Sequence, residues 1–228
     1  MEQSDKNNAP IIEETPIIEE RNEEIEPVEF FFTPHTLPEM DFKTLGLLGK
    51  MVSNHCLLQY FRMPPIEVEI CRGIRKLFAW HDELQEERKA EEKEQLTEEE
   101  LPNLWIISTY IPDELLELFN AKNQPSNWCQ GVYITKEGFQ TGLVSIDRLP
   151  DTIDTLWLRL LGIGKTQEQA ITQLLALPQE NPLRNKILNF IGNWWIETQK
   201  EEEITEEYEE LFAVLSPIYQ QWQKENDQ

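Results

Sequence analysis

The apolar residues of this chain change their spacing near Lys165, and that change limits what the chain can fold into. Before it, apolar stretches are short: "VEFFFTP" from Val28, "LWIIST" from Leu104, "GVYIT" from Gly131 and "GLVSI" from Gly142. Runs of that length, rich in branched and aromatic residues and closed by proline or glycine, read as strands. After it, apolar residues recur every third or fourth position, as a helix buried along one face requires. Ala170, Ile171, Leu174 and Leu175 form one stripe; Leu183, Ile187, Leu188, Ile191, Trp194 and Trp195 form a second; Ile204, Tyr208, Leu211, Phe212 and Leu215 form a third. The expected fold class is therefore α/β: a mixed sheet flanked by helices over residues 28–165, followed by a C-terminal helical bundle over 166–228.

Within the first part, the Lys136-Glu137-Gly138 turn between "GVYIT" and "GLVSI" predicts an antiparallel hairpin. "TLWLRLL" from Thr155, with its alternating leucines, reads as a further strand, whereas "CLLQYF" from Cys56 fits either a helix or a strand. A long helix starts after Pro64-Pro65, with Ile70, Ile74, Leu77, Phe78 and Leu84 on one side. Its later part, Glu86 to Gln95, has almost no apolar residue, so an acidic helix near 66–95 is expected to project from the core, held by local Glu–Lys pairs. In the C-terminal part, Asn181-Pro182 reads as a cap followed by a first-turn proline. Pro217 should break the third helix, with Ser216 capping a final turn.

Charge is distributed unevenly. The formal net charge is -23, and three runs carry nearly all of it: Met1–Glu29 has ten acidic and two basic residues, Asp82–Glu100 ten and three, Glu197–Glu210 eight and one. Residues 1–27, with the imperfect repeat "PIIEET" and "PIIEER", read as a disordered acidic tail; the alternative is a short linear motif whose paired isoleucines dock on a partner. A field this negative disfavours phosphate backbones and anionic lipid heads and favours a protein partner of cationic character. Only Asp41–Trp80 is locally positive, with six basic residues against three acidic ones. Three dispersed cysteines, Cys56, Cys71 and Cys129, point to half-buried or buried thiols in a reducing compartment. No apolar run approaches membrane-spanning length and no secretory signal opens the chain, so the expected location is cytoplasmic.

The motifs that suggest chemistry are weak ones. Gly162-Ile163-Gly164-Lys165-Thr166 looks like part of a phosphate loop, but the position that must be the first glycine holds Arg159. Thr166 and Gln169 instead suggest a capping box for the next helix. His35, His55 and His81 lie far apart and no CxxC pair accompanies them, so zinc is not indicated. Trp194, Trp195 and Trp222 fall on apolar stripes beside acidic neighbours and read as core residues rather than base-stacking platforms.

Taken together, "VEFFFTP", "LGLLGKM", "ELPNLWIIST", "NWCQGVYI", "DTLWLRLLGIGKTQEQAI", "NPLRNKIL" and "LSPIYQQW" resemble a group of uncharacterised proteins abundant in cyanobacteria, distantly allied with the PD-(D/E)xK nuclease-like transposase proteins. The resemblance covers most of Val28 to Trp222. It implies a restriction-endonuclease-like sheet, and in the wider nuclease group carboxylates and a lysine on adjacent strands hold magnesium and position water. The residues here that answer to that pattern are Glu29, Asp41 and Lys43, with Arg72, Arg75 and Lys76 as the nucleic-acid-binding side chains. The pattern departs from the family's, since Glu29 stands where aspartate is expected and no strand offers an acid-x-lysine. The expectation is a noncatalytic protein-interaction domain without a cofactor; the alternative is a residual magnesium-dependent DNA endonuclease associated with mobile elements.

Overall fold

The computed structural model describes residues 27–32, 42–198 and 206–226; the acidic tail, His35, Asp41 and Ile204 lie outside them. Among the described residues five strands form one sheet: β1 (Val28–Phe32), β2 (Cys56–Phe61), β3 (Asn103–Ser108), β4 (Val132–Ile134) and β5 (Thr141–Ser145), in the spatial order β1-β2-β3-β5-β4. β2, β3 and β5 run parallel, and β1 and β4 add antiparallel at the two edges. The three central strands are apolar nearly throughout because helices cover both of their faces, which is why their sequences lack a polar alternation.

The pleat divides the core in two. On the first face Leu57, Phe61, Leu104, Ile106 and Leu143 pack against Ile70, Ile74 and Leu77 of α2 (Glu67–Ala90) and Leu115 and Leu116 of α3 (Asp113–Leu118). On the second, Cys56, Trp105, Ile107 and Val144 pack against Leu47 and Met51 of α1 (Gly46–Met51) and Leu158 of α4 (Leu156–Leu160). Cys56 is fully buried there, and burial pushes its thiol up to about 12, leaving it protonated and inert at neutral pH. The hairpin is as expected, with Tyr133 opposite Leu143, and "CLLQYF" resolves as a strand.

"TLWLRLL" is not a strand. Leu156–Leu160 is a short helix whose Leu156 and Leu160, one turn apart, join a third apolar cluster with Ile171 and Leu174 of α5 (Gly164–Ala176), Leu183, Ile187 and Leu188 of α6 (Pro182–Thr198), and Leu215 and Ile218 of α7 (Glu206–Asn226). Five residues are too few to display a helical period, so apolar alternation and a buried helical turn look alike in the sequence. Arg159 is accommodated inside by polar partners. It donates from Nε to Thr155 Oγ1 at 3.0 Å and from Nη2 to the Thr152 carbonyl at 2.8 Å and to Gln173, and it pairs with Asp151 at 2.6 Å. Burial pulls the guanidinium below its ordinary range, with Asp151 opposing that shift.

Two further expectations are revised. The helix after the glycine pair begins at Gly164, where φ is +54°, with Ile163 as its cap and no side-chain capping bond, so Thr166 and Gln169 lie inside it and form no box. Pro217 does not break α7. The proline is exposed while Leu215 and Ile218 on either side are buried, so the missing amide bond falls on the solvent side and packing holds the helix through it. The cap at Asn181 is present, its Oδ1 accepting from the Leu183 and Arg184 amides at 3.0 and 3.2 Å. Arg184 then grips Glu225 of α7 with both terminal nitrogens, at 2.9 and 2.5 Å. This contact holds the Glu225 carboxyl below the usual range.

Candidate functional site

Glu29 is the residue to which the sequence assigns the most chemistry. It lies on β1 opposite Gln59 of β2, and both side chains project onto the first face, beneath α2. Gln59 Nε2 donates to Glu29 Oε1 at 2.7 Å. Lys76, two helical turns into α2, donates to both carboxylate oxygens, at 2.6 and 2.7 Å. The structure thus joins a residue assigned to catalysis with one assigned to nucleic-acid contact. Gln59 is the member the sequence reading missed; its signal was a lone polar residue within "CLLQYF".

The other candidates among the described residues, Lys43, Arg72 and Arg75, do not join this group; Asp41 lies outside the described residues. Lys43 sits in a 3-10 turn, Phe42–Leu45, that leads into α1 on the second face, and its side chain is exposed there. Arg72 and Arg75 lie on the outer side of α2 near Lys76, Arg72 partly covered and Arg75 exposed. Taken by themselves, the described residues grouped at Glu29 do not fit a magnesium ion. Magnesium needs near-octahedral oxygen ligation, usually from carboxylates, water and substrate. Here both oxygens of the one carboxylate accept from an ammonium, whose charge opposes a cation. The Gln59 Oε1 atom turns away toward Gly73, where an added Cβ would lie 2.3 Å from it. As built, the trio is an ion pair braced by an amide.

The acidic run Asp82–Glu100 has a more distinctive structure. α2 carries it outward to Ala90, and Glu92 at φ +55° then reverses the chain. The returning segment is stitched to the helix, which the sequence reading did not anticipate. Gln85 donates to the Leu96 carbonyl and accepts from the Leu96 amide, both at 2.9 Å; Arg88 Nε donates to the Glu94 carbonyl at 2.7 Å; the Lys93 amide donates to the Arg88 carbonyl at 2.9 Å. At the base, buried His81 shares a 2.8 Å hydrogen bond with the Pro102 carbonyl, and Gln140 Nε2 reaches the Glu98 carbonyl at 2.6 Å. The polar groups that fasten the two limbs are turned inward, and the carboxylates of Glu83, Glu86, Glu87, Glu92 and Glu94 remain exposed. Glu91 is held below the ordinary carboxylate range by its hydrogen bond to Lys93, and Glu100 by bonds to the Thr97 amide and hydroxyl.

At the carboxyl ends of β3 and β5, a third polar group gathers around Arg148. Its Nη1 donates to Asp113 at 2.5 Å and to the Tyr133 hydroxyl at 3.3 Å, and its guanidinium lies 5.6 Å from the Tyr110 ring centre. Those partners satisfy the cation internally.

Comparison with protein-family models, with characterised proteins and with solved structures finds no match to this chain. Among the described residues no helix is long and apolar enough to cross a membrane.

Proposed function

We propose that this chain is a noncatalytic protein-interaction domain, built on a PD-(D/E)xK nuclease-like scaffold with a C-terminal helical bundle, that offers an acidic arm to a cationic partner. The observation carrying this reading is the stitching of the arm. Ten acidic residues on a loose segment would exchange among many backbone arrangements, whereas bonds from Gln85, Arg88 and His81 hold the backbone that carries these in one path. A carboxylate array fixed in advance lowers the ordering cost of association and steers an oppositely charged partner at long range.

Binding of a fluorescent 20-residue oligolysine, followed by anisotropy, tests it. Replacing Glu86, Glu87, Glu91 and Glu94 with glutamine should weaken binding about tenfold at low salt, and the difference should shrink as salt rises. The same number of replacements in the tail, at Glu13, Glu14, Glu19 and Glu20, should cost much less. Equal losses from the two sets would reduce the arm to generic negative charge and remove the proposal.

One observation favours the second reading, a residual magnesium-dependent endonuclease: the meeting of Glu29 with Lys76. Against it stands the use of both Glu29 oxygens by that lysine. Supercoiled plasmid incubated with the chain and millimolar magnesium should remain intact. Nicking that disappears in both Glu29→Ala and Lys76→Ala would reverse the order of the two readings.

A further inference from the structure

We propose that an open groove beside β4 binds the phosphate group of a small molecule. The groove encloses about 500 Å³, within the range of about 300–1,000 Å³ usual for small ligands, and its walls come from two segments. β4 and the turn after it form one. The other leaves α3, turns at Asn120 with φ +48°, and runs back along the outer side of β4, where Lys122 and Ile134 exchange two backbone hydrogen bonds of 2.9 Å.

That bridge sets the geometry. Along the returning segment Asn120, Lys122 and Gln124 are exposed, while Ala121 is buried and Asn123 half-buried, as alternation requires. Lys122 stands opposite Ile134 and Lys136 lies diagonal to it, close enough for both long side chains to reach one ligand. Beyond the bridge the two limbs part: the Asn120 amide closes α3 on the Glu117 carbonyl at 2.9 Å instead of pairing with Lys136. Thr135 gives its amide to the Thr141 carbonyl on the inner side, so alternation turns the Lys136 amide outward, and among the described residues no acceptor takes it.

The charge pattern points to an anion. Among the described residues neither ammonium has an ion-pair or hydrogen-bond partner, although the chain holds 43 acidic residues. No aspartate or glutamate occurs from Leu118 to Lys136. The Glu137 carboxylate borders the groove and pairs with neither lysine. Like charges on neighbouring strand positions repel, a cost that an anion between them would remove. Salt screens exposed charges beyond about 8 Å, so the groups lining the groove outweigh charge farther off. No arginine lines it, so the planar fork that matches a carboxylate is absent, whereas compact ammonium groups suit the concentrated charge of a phosphate. The Lys136 amide and the side-chain amides of Asn120 and Gln124 supply further donors to phosphate oxygens or to hydroxyls on the group that carries them.

Proton–nitrogen NMR spectra of the full chain, titrated at constant ionic strength with glycerol 3-phosphate, inorganic phosphate and glycerol, test the proposal. The amides of Lys122, Ile134, Lys136 and Gly138 should shift saturably at millimolar concentrations of either phosphate and stay still in glycerol. Lys122→Gln and Lys136→Gln should each weaken binding about fivefold. Lys165→Gln, an equal change of charge at an exposed site on α5, should leave it unaltered. Tighter binding of the ester than of the free ion identifies an organic phosphate as the ligand, and equal binding identifies inorganic phosphate. Shifts without saturation, shifts centred elsewhere, or an equal loss from Lys165→Gln overturn the proposal.

Discussion

Replacing Arg159 with alanine should lower the unfolding free energy by about 3 kcal/mol, an expectation that follows from hydrogen bonds to a charged group inside the protein. The ion pair itself is a minor part of this, because the Asp151 side chain is 64% exposed and solvent screens it. The main loss is at the other partners: the Thr152 carbonyl, the Thr155 hydroxyl and the Gln173 amide oxygen each lose a hydrogen bond from the guanidinium at once. Those three groups fasten the turn before α4 to α4 and α5, so the junction between sheet and C-terminal helices should loosen first. Urea unfolding with an unchanged slope measures the effect. Asp151→Asn should stay within about 1 kcal/mol of the native chain. If Arg159→Ala is equally mild, the guanidinium is not the fastening described.

Gly142→Val should cost about 3 kcal/mol, near the upper end for overpacking a core. A Cβ at Gly142 would lie 2.1 Å from Cζ3 and 2.3 Å from Cε3 of the Trp105 ring. The ring cannot retreat easily, since it is buried, it stacks edge-on with Trp128 at 4.9 Å, and its Nε1 donates to the Met51 carbonyl at 3.1 Å. Trp105→Leu alone should also destabilise, by leaving a cavity and an unpaired carbonyl. Combining the two should be less harmful than their sum, because the smaller side chain vacates the space that valine needs. Strict additivity in thermal unfolding would mean that the ring does not occupy the space over Gly142.

Strands were legible where proline, glycine or a turn bounded a branched or aromatic run, as at "VEFFFTP" and "LWIIST", because those residues act locally on the backbone. The stripe Ile70, Ile74, Leu77 was legible for the same kind of reason: a long helix repeats its period often enough to be counted. The fastening at Arg159 was not legible because burial of an arginine depends on partners up to fourteen positions away, and no local pattern records them. Pro217 was misread because its effect depends on which side of the helix faces solvent. The pairing of Glu29 with Lys76 spans 47 positions, with α1 and β2 between them, so composition gave the residue types and only the register gave the contact. The stitching at Gln85 and Arg88 was invisible because an acidic run reads as solvated whether or not its backbone is fastened.

The placement of β1 beside β2 also bears on the order of events during synthesis. β2 is apolar on both faces, and its parallel neighbour β3 is not complete until Ser108 has been added. Until then α2 can cover one face of β2, but the strand already made is its backbone pairing partner among the described strands, so weakening "VEFFF" should harm yield from the ribosome more than it harms the finished protein.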